Sequence, residues 1–322
     1  MLLDQVQDEG LLAPGRAVLV MLSGGRDSTC LADLAVRIAG SGLVRALHVN
    51  YGLRVQASAD ERWCSELCER LQIPLELRRP VRRENGNLQA WAREERYGAA
   101  AQIARAWPAD VAAGHTATDQ VETVLYRLAS SPSRRALLGM HPRQGSLIRP
   151  LLAFTREQTA AYCRERGLAW REDESNESRA YARGRVRGGL LPALREIHPA
   201  AEQNVLALVD VLREETAVLD ELVDATLGGV PQIELERLRG LPPGLRRLVV
   251  QRLADGAAGR PAPGTARRAE EIAALSDHAA LDLPHGVRAE VRRGTLRLAR
   301  RNATVPAAAD PNQQASVSSP IN

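Results

Sequence analysis

Six consecutive residues, Ser23-Gly24-Gly25-Arg26-Asp27-Ser28, bring hydroxyls, a carboxylate and two glycines together in one short segment. They follow the apolar run 17–22 and precede residues with helical apolar spacing, which predicts a turn between a buried strand and the N-terminus of a helix. Such a turn presents unpaired backbone N–H groups and the positive end of a helix dipole, and both attract anions. Because Gly24 and Gly25 permit close ligand approach, the segment predicts a phosphate site, with Asp27 as a carboxylate for Mg²⁺. A simple tight turn is the alternative.

Two further acids, Asp119 and Glu122, lie at the start of a helix that is predicted to follow the strand-like segment 111–113. The predicted apolar stripe of this helix consists of Val121, Val124, Leu125 and Leu128. Both acids and Tyr126 fall on the opposite face, so the carboxylates lie close together and can hold an amine or accept its proton. The alternative is a pair of solvated acids that complement the helix dipole.

Arginine carries all the positive charge apart from histidine: all 43 basic residues are arginine, and the chain contains no lysine. This composition excludes lysine nucleophiles, lysine Schiff bases and a P-loop lysine. Arg179, Arg183, Arg185 and Arg187 lie within nine residues, and Arg195 follows. Guanidinium groups are suited to RNA or nucleotide phosphates, although a solvated charged face is the alternative interpretation.

Strand-like and helical segments alternate through the first 200 residues, which predicts an α/β fold with a Rossmann-like, doubly wound parallel sheet covered on both faces. The predicted strands are 17–22, 44–49, 75–77 and 111–113. The first helix between them is predicted from the apolar stripe within 31–38, and the next two are predicted over 60–71 and 88–106. Ligands of such sheets lie beyond the carboxyl ends of the strands, where the Ser23 turn, His48 and His115 are expected. His115 by itself is typical of a structural hydrogen-bonding residue.

The pattern changes at Pro199 and predicts three parts: a catalytic domain over 1–198, a smaller and mostly helical domain over 199–301, and a disordered tail over 302–322. Helices are predicted over 205–222, 238–253 and 265–275. Alternating apolar residues over 287–291 and 296–298, with Arg293-Gly294 between them, predict a small hairpin.

The composition is typical of a globular protein of two domains, with 322 residues, a net charge of +4 and a pI near 9.1. This charge permits a polyanionic partner. We expect a cytoplasmic protein without membrane contact, since the sequence shows no signal peptide and no apolar run of about 20 residues. The four cysteines form no Cys-x-x-Cys pair, which favours structural thiols over a zinc or iron–sulfur site.

Several motifs occur in a fixed order, from the Ser23 turn to Arg183-Gly184-Arg185-Val186-Arg187. Between them lie His48-Val49-Asn50-Tyr51-Gly52-Leu53-Arg54, Ala92-Arg93-Glu94-Glu95-Arg96-Tyr97, Asp119-Gln120-Val121-Glu122-Thr123, Leu147-Ile148-Arg149-Pro150-Leu151-Leu152 and Glu172-Asp173-Glu174-Ser175-Asn176. Over residues 16–200 the set resembles the tRNA(Ile)-lysidine synthetase family of the PP-loop ATP pyrophosphatase superfamily. Three departures are Thr118 for an aspartate, the segment 128–135 for an Arg-Gly-Ser-Gly run, and Gly184 for an asparagine.

The resemblance implies that ATP adenylates the C2 carbonyl oxygen of the wobble cytidine of an isoleucine tRNA with a CAU anticodon. Lysine then attacks C2, displaces AMP and forms lysidine. The ATP-binding residues it implies are Ser23, Gly24, Gly25, Arg26, Asp27, Ser28, His48 and Gly114, with Mg²⁺ at Asp27. Arg93, Arg96 and Arg187 are candidate donors to the α-phosphate, and Arg96, Arg183 and Arg185 are candidate substrate-binding residues. Asp119 and Glu122 are expected to receive the lysine ammonium, and the helical domain is expected to contact the tRNA.

Two other functions stay open at this point. A PP-loop tRNA thiolase shares the activation of a base carbonyl by ATP but delivers sulfur, generally through a cysteine pair or an iron–sulfur cluster. A catalytically inactive RNA-binding relative would retain the fold without the reaction. An amidotransferase such as a GMP synthetase fits less well, because no glutaminase-like region is visible. The oligomeric state is not predicted.

Overall fold

The computed structural model describes residues 2–53, 56–82, 87–131, 133–171 and 182–301. The chain forms two compact units, Met1–Arg213 and Glu214–Asn322, whereas the sequence pattern changes earlier, at Pro199. Arg54, the motif at 172–176, Arg179 and the predicted tail 302–322 lie outside the described residues.

The first unit contains six strands and the greater number of the helices. The strands are β1 (Val18–Met21), β2 (Val44–Val49), β3 (Leu75–Arg78), β4 (Asp110–Ala112), β5 (Arg143–Gln144) and β6 (Leu147–Ile148). The helices are α1 (Leu2–Asp8), α2 (Arg26–Ala39), α3 (Ala57–Leu71), α4 (Leu88–Ala106), α5 (Ala117–Ser130), α6 (Arg134–Leu137), α7 (Arg156–Glu165), α8 (Ala182–Arg185) and α9 (Leu191–Ile197). Between α8 and α9 the chain forms a π-helical turn, Val186–Leu190, and α10 (Ala201–Leu227) continues into the second unit.

The six strands form one sheet in the order β3-β2-β1-β4-β6-β5. All pairings are parallel except that of β5 with β6. From β1 the chain runs outward through β2 and β3 and then returns to place β4 on the other side of β1. The sheet therefore has a topological switch point between β1 and β4, which is where ligands bind in open α/β folds. The predicted α/β fold is confirmed.

The residues predicted to form the apolar stripe of α2 are buried, whereas one residue of the stripe predicted for α5 is not. Leu31, Leu34 and Ala35 are fully buried in the core beside β1. In α5, however, Leu128 is 62% exposed, so it does not belong to the buried stripe. Glu122 is fully buried, and Asp119 is also buried. The alternative interpretation, a pair of solvated acids on α5, is therefore excluded, because residues 117–125 of this helix are all buried.

The second unit combines helices with a small antiparallel sheet. Its elements are β7 (Gln232–Glu234), α11 (Leu235–Gly240), α12 (Pro243–Ala258), α13 (Ala269–Ala273), β8 (Ala280–Leu283), β9 (Val287–Arg292) and β10 (Thr295–Arg300). The predicted hairpin is confirmed as β9–β10, with Arg293 and Gly294 at positive φ in its turn. Two more strands extend it to the order β7-β10-β9-β8. The helix predicted over 238–253 is interrupted, since Pro242 separates α11 from α12.

No helix within the described ranges combines the length and the apolar composition that a bilayer crossing requires.

Candidate active site

The turn between β1 and α2 has the backbone form that the sequence predicts. Gly24 adopts a φ of +87°, and a Cβ at this position would lie 3.3 Å from the Cys64 Sγ atom. A side chain would therefore be strained in two ways, which explains the glycine. Gly25 is the N-cap of α2 and makes no side-chain capping bond. The first-turn N–H groups of α2 thus remain available to an anion.

Hydroxyl groups fix the shape of this turn. The Ser23 and Ser28 Oγ atoms lie 3.0 Å apart, and the Ser23 N–H donates to the Ser28 Oγ atom at 3.2 Å. The Ser28 and Thr29 hydroxyls both donate to the Gly25 carbonyl oxygen, at 2.9 and 3.0 Å. The loop is therefore held in shape by its own side chains before any ligand binds.

The carboxyl end of β4 lies directly against this turn. A Cβ on Gly114 would be 3.1 Å from backbone atoms of Asp27 and Ser28, so only glycine allows this approach. His48, at the end of β2, is buried, and its Nδ1 atom lies 2.9 Å from the Leu22 carbonyl oxygen. The structure therefore places His48 behind the turn, where it supports the end of β1.

Three acids meet at the switch point around one arginine. Arg156, the first residue of α7, places its Nη2 atom 2.8 Å from Asp119 Oδ1, its Nη1 atom 3.7 Å from Glu122 Oε1 and its Nε atom 3.7 Å from Asp27 Oδ2. We call Asp27, Asp119, Glu122, Arg156 and Arg187 the ion cluster. The two acids of α5 and the turn after β1 are thus brought together, as the sequence predicts.

Arg187 closes the ion cluster from the π-helical turn. Its guanidinium binds Glu122 in a bidentate manner, with Nε 2.6 Å from Oε1 and Nη2 2.9 Å from Oε2, and lies 3.5 Å from Asp119 Oδ1. Burial alone would lower the pKa of Arg187. The carboxylates of Glu122, Asp119 and Asp27 favour the charged guanidinium more strongly, so the pKa of Arg187 is raised.

Asp119 has a structural role as well as its place in the ion cluster. Its Oδ2 atom accepts hydrogen bonds from the Thr116 N–H and hydroxyl groups, both at 3.0 Å, which completes a capping box at the start of α5. Burial opposes ionisation of this carboxyl, but Arg156 and Thr116 favour it more strongly and hold its pKa below the usual value. Asp119 is therefore a carboxylate at neutral pH.

Asp27 is held by three partners. The Thr159 hydroxyl donates to its Oδ1 atom at 2.6 Å and Arg26 Nε donates to the same atom at 3.0 Å, while Arg156 faces Oδ2. The described residues contain no group of three or more side chains suited to a metal ion. Mg²⁺ in proteins commonly takes one or two carboxylates together with substrate phosphates, and Asp27 at an anion-binding turn fits that chemistry.

The other predicted arginines lie on separate elements. Arg93 and Arg96 of α4 face the Tyr97 ring, with their Cζ atoms 4.5 and 5.4 Å from its centroid. Arg183 donates to the Thr123 hydroxyl at 2.6 Å, and Arg185 is exposed. Arg187 is the predicted arginine that the structure places in the ion cluster.

Arg156 was missed by the sequence analysis. Thr155 and Gln158 form a capping box that marks the start of α7, and this signal was available in the sequence. The capping box locates the start of the helix. It does not reveal that the side chain of Arg156 reaches Asp27, which lies more than a hundred residues earlier in the chain. That contact depends on how α7 packs beside α2.

Comparisons with known proteins agree with this geometry. The chain matches the PP-loop domain family over residues 2–194. It is 37% identical to the tRNA(Ile)-lysidine synthase of Symbiobacterium thermophilum over 93% of this chain and 69% of that protein. It is 36% identical to the tRNA(Ile)-lysidine synthase of Thermus thermophilus, over 88% of this chain and 57% of that protein. The chain thus spans between 57% and 69% of the length of these two curated relatives.

Among solved structures, the chain resembles a U34-tRNA thiolase, NcsA from Methanococcus maripaludis, which carries a [4Fe-4S] cluster. The TM-score is 0.56 at 18% identity, and the match covers 66% of this chain and 78% of that chain. At this identity the likeness concerns the fold alone.

Proposed function

Because the chain belongs to the tRNA(Ile)-lysidine synthase family of PP-loop proteins, we propose that it joins lysine to C2 of the wobble cytidine of a CAU-anticodon isoleucine tRNA at the expense of ATP. The observation that supports this most directly is the ion cluster. Arg156 joins the carboxylate of the phosphate-binding turn to the two carboxylates of α5, so an activated phosphate and an incoming amine can meet there.

The turn Ser23–Ser28 binds the phosphates of ATP in this proposal. The first-turn N–H groups of α2 and the helix dipole attract the triphosphate, and Gly24 and Gly114 leave room for the close approach of backbone to ligand. Asp27 would hold Mg²⁺, which neutralises phosphate charge when it is bound. Fixed donors at the α-phosphate stabilise the negative charge that develops as pyrophosphate leaves, and Arg187, whose charge interacts with that of Asp27, is one of the predicted donors.

Asp119 and Glu122 receive the ε-ammonium of lysine, and one of them takes its proton so that the free amine attacks C2. Arg156 and Arg187 already neutralise both carboxylates. The incoming ammonium must therefore share or replace a guanidinium contact. Phosphate oxygens at the Ser23 turn offer these arginines an alternative partner, which would release the carboxylates for the amine.

The remaining parts of the proposal concern partners and location. Free lysine, ATP and the tRNA are the substrates, the protein acts in the cytoplasm, and the second unit contacts the tRNA. These assignments follow from the family and from the mildly basic charge of the chain.

Mass spectrometry of a tRNA(Ile) transcript with a CAU anticodon tests the proposal. Incubation with ATP and isotope-labelled lysine should add about 128 Da plus the label to the wobble cytidine, the mass of lysine less water, since lysine replaces the C2 oxygen. Pyrophosphate release should depend on the transcript. Addition of sulfur would identify a thiolase, and binding without any change in mass would identify an inactive relative; either result refutes the proposal.

A further inference from the structure

A second group of arginines lies outside the ion cluster. We call it the arginine cluster, and its members are Arg93, Arg96, Arg127, Arg149 and Arg183. They come from α4, α5, the segment after β6, and α8. Arg127 and Arg149 have no role in the proposed chemistry, and their arrangement requires a separate explanation.

Arg127 and Arg149 hold the same short piece of backbone. Arg127 Nη1 donates to the Gly139 carbonyl oxygen at 2.8 Å, and Arg149 Nη1 donates to the His141 carbonyl oxygen at 2.6 Å. Gln120 binds both backbone polar groups of Met140, which lies between them. The two guanidinium groups are therefore anchored to one rigid segment and are not free to turn away from each other.

The other members approach from the neighbouring helices. Arg183 donates to the Thr123 hydroxyl, and Thr123 lies one helical turn before Arg127 on the same face of α5. Arg93 and Arg96 both face Tyr97. The positive charge of Arg93 helps to lower the pKa of both Arg127 and Arg149, which is consistent with guanidinium groups that share one neighbourhood.

None of the five arginines forms an ion pair with a carboxylate in the described part of the chain, in contrast to Arg156 and Arg187. Arg149 is only 4% exposed, and its Nε atom is buried without a hydrogen-bond partner among the described groups. Three more buried atoms lack a hydrogen-bond partner among the described groups, namely Arg96 Nε, the Tyr97 hydroxyl and His115 Nδ1. Buried polar groups in native proteins normally have partners, so these atoms indicate a site for a ligand.

The sign of the charge identifies the ligand. Burial, together with the neighbouring arginines, lowers the pKa of both Arg127 and Arg149, although both remain charged at neutral pH. Holding several cations together in a partly buried site is unfavourable unless an anion accompanies them. Guanidinium groups bind phosphate with paired, directed hydrogen bonds, and phosphate is therefore the anion that fits.

We propose that the arginine cluster binds phosphodiester groups of the RNA substrate next to the nucleotide that reacts, an inference that rests on the proposed function. Solvent exposure decreases across the arginine cluster, from the exposed Arg93 and Arg183 to the buried Arg149. This is expected for a site that an RNA strand enters from the solvent. The phosphates of ATP have their own site at the Ser23 turn, beside the ion cluster. The nucleotide is thus the less suitable source of the phosphate.

The salt dependence of RNA binding tests this inference. We would measure the affinity of the full-length protein for the tRNA(Ile) transcript by fluorescence anisotropy between 50 and 300 mM salt, for the variants Arg93→Gln and Arg127→Gln. Each lost phosphate contact should lower the slope of log K against log salt by about 0.7 to 0.9 and weaken binding about five- to tenfold at 0.1 M salt. ATP affinity without RNA should stay unchanged in Arg127→Gln, because Arg127 has no part in the proposed ATP site. Arg105→Gln is the matched control, because Arg105 is exposed on the same helix α4.

Two results would overturn the inference. One is a slope in both variants that equals that of the control; the other is a loss of ATP affinity with the RNA slope unchanged, which would assign the phosphate to the nucleotide. The lysine-addition assay on the wild-type protein separates this inference from the proposed function. A wild-type protein that adds no lysine, while the variants show reduced slopes, would refute the proposed function and uphold the RNA site.

Discussion

Replacement of Arg156 with alanine removes the side chain that joins the three acids. The variant leaves Glu122 with Arg187, Asp119 with Thr116, and Asp27 with Thr159 and Arg26, so each acid keeps one strong partner. The change therefore isolates the bridging contact and does not empty the site. We expect the fold to form and the stability of the first unit to fall.

The size of the loss follows from burial and distance. Removing one partner of a fully buried ion pair costs about 3–5 kcal/mol, and an exposed pair contributes less than about 1 kcal/mol. The Arg156 side chain is 21% exposed and makes one close contact, at 2.8 Å to Asp119, and two at 3.7 Å. We therefore expect a loss of about 2 kcal/mol at pH 7. For a unit of this size, the midpoint of thermal unfolding should fall by about 4–8 °C.

The loss should depend on pH in a defined direction. The pKa of Asp119 is lower in the folded protein than its usual value near 4, so its ionised form stabilises the fold above that pH. This contribution disappears as the pH falls through the folded pKa. Because Arg156 is the charge that favours the carboxylate most, the difference between wild type and variant should shrink as the pH falls from about 4 through the lower pKa of folded Asp119.

Tryptophan fluorescence is the appropriate probe, because it reports on the first unit alone. All four tryptophans lie within that unit, namely Trp63, Trp91, Trp107 and Trp170. Arg78→Ala is the matched control, since Arg78 is 43% exposed and makes a 3.3 Å contact with Glu76. The reasoning is refuted by a loss at pH 7 no larger than that of the control, or by a difference that does not shrink as the pH falls below about 4.

Three further predictions concern single positions. Glu122→Gln should bind ATP normally but lose about 10²–10⁴-fold in lysine-dependent turnover, because the amide cannot accept the proton. Glu165→Gln is the control, since Glu165 is exposed. Near-wild-type turnover of Glu122→Gln would exclude the assigned role. Gly114→Ala should weaken ATP binding and raise KM for ATP, since a Cβ would meet the backbone of Asp27 and Ser28 at 3.1 Å, and unchanged ATP affinity by calorimetry would contradict this. Burial lowers the pKa of His115 to about 4 against the pull of Asp119, so the neutral imidazole stabilises the fold above its unfolded pKa near 6.5. Wild-type stability should therefore fall by about 1–3 kcal/mol between pH 6.5 and pH 4 in urea titrations, and the idea fails if His115→Gln shows the same fall.

The sequence predicts the sheet and the two halves of the candidate site well, because these depend on local pattern. Strand β2 and helix α4 begin and end where the apolar spacing and Trp107-Pro108 indicate. The meeting of the Ser23 turn with the acids of α5 also follows from the sequence, since the carboxyl ends of parallel strands share one edge of the sheet.

What the sequence does not predict depends on contacts between distant segments. Arg156 and Arg149 are single arginines in a chain with many, and their partners are fixed only by how α7 packs and how the segment 139–141 folds over α5. For the same reason, the helical spacing places Leu128 in the buried stripe although it is exposed, and it leaves open whether Glu122 is solvated or buried. Helical periodicity identifies two faces, but it does not reveal that a neighbouring element covers the polar one.

The ion cluster also has a consequence for synthesis of the protein on the ribosome. A nascent chain that has emerged as far as Ser130 already carries Asp27, Asp119 and Glu122. Asp27 has Arg26 beside it, but Arg156 and Arg187, which pair with Asp119 and Glu122, have not yet been made. Three carboxylates in one partly formed pocket repel each other, and α5 gains its native surroundings only when residues 156 and 187 arrive. The ion cluster should therefore form late, after most of the first unit has been translated.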